Sequence, residues 1–248
     1  MAGNGFLISG DRGETWTPLT AHVENKKMAV ACSRNPVVEA VDGSWLLPVY
    51  TGYPEQVESA YIVRSWDRGE TWTDETLVAG NPLLNTPYRD GVSHNETSAI
   101  LIDDTTMLAV VRADADYVTE NGDFCSEGGI GELHWTISHD VGFTWAPVRS
   151  LGIFGQPADL QMLPDGRFVC TYGYRNPPFG VRAAILELAD DELTVTHEIV
   201  LRDDSVNWDC GYPSSAVRPD GTITSVYYIH ASPGEVRHIA ATDWAVEE

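Results

Sequence analysis

Apolar and polar residues change over along this chain in short runs, and the runs are bounded by turn residues. WLLPVY (45–50), AYIVRS (60–65), MLAVVR (107–112), RFVCTY (167–172) and TITSVYYIH (222–230) have the length and the β-branched, aromatic content of strands. No segment carries a helical period of useful length, so the pattern predicts an all-β protein. Turn signals sit between paired runs at Asp42-Gly43, Asp103-Asp104, Asp165-Gly166 and Asp220-Gly221. Such dipeptides close hairpins. They stand 55 to 62 residues apart, which is the spacing of a repeating unit.

A second signal repeats with the first. SGDRGETW (9–16), SWDRGETW (65–72) and SHDVGFTW (138–145) share the pattern S-x-D-x-G-x-T-W. A worn copy, LADDELTV (188–195), keeps Asp190 and Thr194. The pattern suits a tight loop between two strands. The Asp accepts backbone N–H bonds within the loop, the Gly allows positive φ, and the Thr and Trp open the next strand, with the Trp wedged between sheets. Asp11, Asp67 and Asp140 are therefore read as structural, together with Trp16, Trp72 and Trp145. Residues that recur once per unit do not all face one pocket.

Each hairpin precedes its octet, so a unit reads strand, hairpin, strand, loop, strand, octet, strand. Units fall at about 33–80, 95–151 and 157–201, with a three-stranded unit at about 208–246 and a partial one at about 1–25. The last strand of the second unit is placed on TWAPVRSL (144–151). Four-stranded antiparallel units in series predict a β-propeller, one domain over 1–248.

Composition narrows the partners. The formal charge is −22, from 37 acidic and 15 basic residues, a field that disfavours nucleic acid and anionic membranes. An anionic ligand would need a local group of arginines. No apolar run is long enough to span a membrane, and the first residues lack the features of a leader. Cys32, Cys125, Cys170 and Cys210 have no metal-ligand spacing; Cys170 lies inside an apolar run and Cys210 borders one. These read as buried thiols of a reducing, cytoplasmic compartment, with a Cys170–Cys210 disulfide as the alternative. No cofactor and no catalytic metal is implied; acidic loops leave room for a structural calcium.

The octet resembles the Asp box, or bacterial neuraminidase repeat, and the chain over roughly 60–244 resembles the sialidases. HNETSAILIDDTTMLAVVRAD offers Glu96 opening one strand and Arg112 ending the next. NPPFGVRAAILEL offers Arg182, with Arg175 in TYGYR as its competitor, and NWDCGYPSSAVRPDGTI offers Tyr212. The resemblance implies a six-bladed propeller, here incomplete or with fewer blades, since about 17 strands are counted where six blades need roughly 24. It implies a Tyr212 nucleophile with Glu96 as its base, and Arg112, Arg182 or Arg175, and Arg34 on a substrate carboxylate. A neutral phenol is not repelled by the carboxylate of a sialic acid, and guanidinium forks grip it.

Ser33-Arg34-Asn35-Pro36 looks like the family's opening motif, but only one unit separates it from Glu96. It is read as belonging to a middle blade, with the opening blade missing. No Asp stands at the acid/base place, for which Glu55, Glu58 and Asp90 are the stand-ins. His94 and His230 lie near these segments and are read as structural. The expected function is a retaining sialidase-like glycoside hydrolase acting on a terminal acidic sugar. The alternatives are a catalytically incomplete propeller that binds carbohydrate or a protein, and a hydrolase or lyase for another uronic-type sugar.

Overall fold

A computed structural model describes residues 6–19, 22–23, 31–51, 58–80, 92–115, 117–118, 124–125, 131–232, 234 and 236–246. Among them there are strands and turns but no helix, and none long and apolar enough to cross a membrane. Strands β1 (Phe6–Ile8) and β2 (Thr17–Leu19) form an antiparallel ribbon. The chain then leaves it. β3 (His22–Val23) runs parallel to the outer strand of the next sheet. That sheet comprises β4 (Val38–Glu39), β5 (Trp45–Thr51), β6 (Ser59–Ser65) and β7 (Thr71–Ala79), in the order β3-β7-β6-β5-β4.

Next come β8 (Val92–Leu101) and β9 (Met107–Ala115), then a short ribbon of β10 (Tyr117–Val118) and β11 (Phe124–Cys125). β12 (Gly131–Ser138) and β13 (Arg149–Phe154) complete a four-stranded sheet in the order β13-β12-β9-β8. The following sheet is β14 (Ala158–Met162), β15 (Phe168–Tyr174), β16 (Gly180–Ala189) and β17 (Glu192–Arg202), in sequence order. A three-stranded sheet of β18 (Gly211–Val217), β19 (Ile223–Ile229) and β20 (His238–Trp244) ends the series.

Successive sheets pack face to face, as in a propeller. Alternation along β9 divides its side chains between two interfaces. Met107, Ala109 and Val111 meet Leu46, Ile62 and Val78 of the preceding sheet. Leu108 and Val110 join Leu133 and Trp135 against Leu160, Phe168 and Leu186 of the following one. Cys170 lies in that second cluster and Cys210 lies in another with Val181, Tyr227 and Ile229; both thiols are buried and free.

Hydrogen bonds also tie the first strands together near the axis. Leu160 N donates to Ser98 Oγ at 3.0 Å, and Ser215 N to Asp159 Oδ2 at 2.7 Å. These bonds set β8, β14 and β18 side by side. Asp159 is buried, and burial raises its pKa.

The three octet loops are superimposable in their bonding. In each, the Asp takes the Thr N–H (2.9, 2.8 and 2.7 Å) and the Thr hydroxyl (2.5, 2.5 and 2.6 Å). The Ser Oγ accepts the Gly N–H, and the indole N–H closes on the Gly carbonyl. The residue before each Gly, whether Arg12, Arg68 or Val141, also has positive φ.

Three expectations are corrected. Trp72 is buried (1% exposed) and Trp145 packs between sheets, but Trp16 is 58% exposed, since among the described residues its ribbon holds only two strands. The worn copy is no octet loop: Asp190 and Asp191, both at positive φ, make a two-residue hairpin from β16 to β17. Of the three Thr-Trp pairs only Thr71-Trp72 opens a strand; β2 begins at Thr17, after the first pair, and the third pair lies ahead of β13. Pro147 removes a donor there, and β13 begins at Arg149.

Candidate active site

Glu96 and Tyr212 each sit in a β-bulge of a first strand. The β8–β9 register shifts between Asn95 and Ser98, and the β18–β19 register shifts between Gly211 and Ser214. Both residues hold positive φ, 36° for Glu96 and 49° for Tyr212. For residues with a Cβ this costs on the order of 1–3 kcal/mol and is found where function re-aims a side chain. Gly211 makes the bulge possible. At φ 104°, a Cβ there would lie 2.5 Å from the Gly173 Cα.

The two re-aimed side chains meet. The Tyr212 hydroxyl donates to Glu96 Oε1 at 2.5 Å. Arg112 Nη1 donates to Glu96 Oε2 at 2.7 Å, and Arg112 also lies 2.8 Å from Asp114. Glu96 is 6% exposed, whereas Tyr212 is 37% exposed at the mouth. Burial, then the charge of Glu96, push the Tyr212 phenol up to about 12, so it rests protonated and neutral. Burial works against the charge of Arg112, but Asp114 and Glu96 outweigh it and raise its pKa.

Beside this pair stands Glu58. Asn95 Nδ2 donates to Glu58 Oε2 at 2.5 Å and lies 3.3 Å from Asp114. Burial raises the Glu58 pKa against the hydrogen bond from Asn95. Glu55 and Asp90, the other stand-ins, lie outside the described residues.

Two more guanidinium groups flank Tyr212. The Arg34 guanidinium carbon lies 5.3 Å from the ring centroid and that of Arg175 lies 5.7 Å from it. Arg34 reaches two other sheets, donating to Ala158 O of β14 at 2.5 Å and Pro213 O of β18 at 2.6 Å. Its neighbour Asn35 donates to Thr97 O. Arg175 has a buried Nε with no hydrogen-bond partner. Among the described residues, neither Arg34 nor Arg175 has a carboxylate within 4 Å, whereas Arg112 is ion-paired with Glu96 and Asp114. An anion entering here meets two guanidinium groups that no described carboxylate contacts directly, although Glu96 and Asp159 act on Arg34 from farther off.

Arg182 is not part of the group. It sits on β16, two strands out from the axis, pairs with Glu198 at 2.6 Å and stacks on Tyr174 at 3.4 Å. Tyr172 also donates to Glu198. Its competitor Arg175 holds the place instead. The signal was positional: Arg112 falls in the second half of β9 and Arg175 just past the end of β15, each the second strand of its sheet. Arg34 joins the cluster although its unit directly precedes that of Glu96.

His94 hydrogen-bonds His134 (3.1 Å), and burial, then the His134 charge, depress its pKa to about 4. His230 directly follows β19, with both ring nitrogens unpartnered. No group of three or more His, Cys, Asp or Glu that could hold a metal occurs among the described residues.

Residues 2–225 match the family model described as BNR repeat-like domain. A search of curated proteins found no match. Among solved structures, a protein of unknown function from Dyadobacter fermentans superposes with a TM-score of 0.77 at 27% identity, covering 98% of this chain and 64% of that one. The NanB sialidase of Streptococcus pneumoniae gives 0.64 at 17%, covering 98% and 35%. A xylan β-1,4-xylosidase from Bacillus halodurans gives 0.58 at 13%, covering 91% and 42%. The last two share the fold alone. The chain spans less than two thirds of each of these proteins.

Proposed function

The chain belongs to the BNR repeat-like domain family, and on that premise we propose that it is a retaining glycoside hydrolase of sialidase type, acting on a terminal acidic sugar. The reading includes its sheets as blades of one propeller domain. The observation that carries it is the 2.5 Å bond from the Tyr212 hydroxyl to a buried Glu96, with Arg112 on the other Glu96 oxygen.

The chemistry follows from the groups present. Arg34 and Arg175 bind the sugar carboxylate. Tyr212, neutral at rest, attacks the anomeric carbon while Glu96 takes its proton, so no anionic nucleophile approaches the carboxylate. The bond to the leaving oxygen breaks, and that oxygen receives a proton from Glu58. Burial keeps Glu58 protonated to higher pH than an ordinary carboxyl. Water, deprotonated by the same Glu58, then cleaves the glycosyl–tyrosine bond, and Glu96 returns the proton to the phenolate.

A second reading draws on Glu58. One of its oxygens is already held by Asn95, which suits a propeller that binds the acidic sugar without cleaving it. Hydrolysis of a fluorogenic sialoside by the wild type and by Tyr212→Phe separates the two. Turnover lost on substitution supports the hydrolase. Sialoside binding without turnover in the wild type supports the second reading, and neither binding nor turnover refutes both.

A further inference from the structure

Tyr212 carries its hydroxyl at the end of a long side chain, from a bulge at the mouth where it is 37% exposed. A small rotation of that side chain takes the oxygen off line, and a misplacement of about 1 Å at a reacting atom costs about a hundredfold in rate. The bond to Glu96 holds the oxygen but not the ring behind it. Arg34 and Arg175 stand near the ring, but both are given to the sugar carboxylate.

Tyr228 stands where that support is needed. It faces Gly211 across the β18–β19 ladder, just before the register shift that holds Tyr212. The two ring centroids are 5.8 Å apart and the planes are tilted by 37°, the geometry of a favourable aromatic pair. Tyr228 is itself held. Its hydroxyl donates to Asp209 Oδ1 at 2.5 Å, and Arg237 Nη2 lies 2.5 Å from Asp209 Oδ2. Burial, then the bond to Asp209, raise the Tyr228 pKa, so the phenol stays a donor. Asp209 sits in a bonded turn. Its N–H donates to Asn207 Oδ1 at 3.0 Å, Cys210 N donates to Trp208 O at 3.0 Å, and Val206 N donates to His230 O, two residues beyond Tyr228, at 2.8 Å. Asp209 therefore ties together the turn ahead of β18, the end of β19 and the residue before β20.

We propose that Tyr228 is a positioning residue for Tyr212: its ring, tethered by Asp209 and Arg237, backs the Tyr212 ring and keeps the phenol oxygen aligned between Glu96 and the anomeric carbon. The proposal rests on the hydrolase reading above. Tyr228 then acts on the rate of attack and not on capture of the sugar, which Arg34 and Arg175 perform.

The test follows covalent trapping of the full chain by a 2,3-difluorosialic acid with intact-mass spectrometry. A range of reagent concentrations separates the limiting rate from the half-saturating concentration. Tyr228→Leu, which removes the ring, is expected to lower the limiting rate about ten- to a hundredfold. Its half-saturating concentration is expected to stay within about twofold of the wild type. Tyr228→Phe keeps the ring and loses only the tether, and its limiting rate is expected to recover to about two- to threefold below the wild type. Should Tyr228→Leu not fold, Tyr228→Phe decides alone: that small loss of rate supports the tether, and a rate equal to the wild type overturns it. An unchanged limiting rate in Tyr228→Leu, or a loss seen only in the half-saturating concentration, would overturn the positioning role and leave the hydrolase reading intact. No trapping of the wild type would refute that reading and the proposal with it.

Discussion

The Tyr212 hydroxyl and Glu96 Oε1 are 2.5 Å apart although 116 residues separate them in the chain. Each side chain reaches the other from a bulge at positive φ. Backbone strain is spent at two places, and both spend it on the same hydrogen bond.

Tyr212→Phe removes the oxygen proposed as nucleophile but little else. Turnover is expected to fall by at least about a hundredfold, while the melting temperature moves by no more than the loss of one hydrogen bond, about 1 kcal/mol, allows. Glu96→Gln is expected to act in the same direction through the lost base. Steady-state kinetics and thermal melting on the same preparations check both.

Arg175 and Arg182 compete for one role on paper, and their neighbours separate them. Arg175→Ala is expected to weaken binding of the acidic sugar about ten- to a hundredfold, the scale of a charge-assisted hydrogen bond. Arg175→Lys should recover only part of it, since an ammonium lacks the fork. Arg182→Ala, which breaks the pair with Glu198, is expected to leave affinity within about twofold. Calorimetric titration of the three variants decides this.

Glu58 sets a pH dependence whose sign is fixed. Its pKa in the folded protein is raised by burial, so its protonated form persists above the ordinary carboxylate range. Activity that needs a proton donor falls as pH rises through that raised value, and Glu58→Gln abolishes this limb along with most of the turnover on poor leaving groups. The folded chain binds this proton more tightly than the unfolded one. Stability from Glu58 is therefore present at low pH and lost as pH rises through the raised value. Denaturation and rate profiles between pH 4 and about 8 check both statements.

The octet loops are alike in bonding but not in what their tryptophans bury. Trp72→Ala is expected to cost about 3–5 kcal/mol, since its ring is buried and stacks on Phe6 at 5.4 Å. Trp16→Ala is expected to cost less than about 0.5 kcal/mol. Urea unfolding of the two variants checks the contrast.

The turns and strands were legible because they are local. The D-G hairpins at Asp42, Asp165 and Asp220, and the octets around Asp11, Asp67 and Asp140, act within a few residues and need no partner. Long-range consequences were not legible. That β3 deserts its ribbon for β7 depends on two residues, too few to carry a pattern. Arg175 and Arg182 look alike in sequence until strand order puts one at the mouth and the other two strands out. Arg34 was named with the other arginines for the substrate carboxylate, but assigned to a middle unit, because a count of units cannot foresee which sheets its side chain reaches. The bulges at Glu96 and Tyr212 leave little trace, since neither residue type announces positive φ.

The central claim is that Tyr212 attacks the anomeric carbon, and a trapped glycosyl-enzyme tests it most directly. Incubation with a 2,3-difluorosialic acid, followed by intact-mass and peptide mass spectrometry, is expected to show one added glycosyl group on the peptide that contains Tyr212, and none in Tyr212→Phe. An adduct on Glu58 or another side chain, or turnover of a sialoside by Tyr212→Phe at the wild-type rate, would contradict the account.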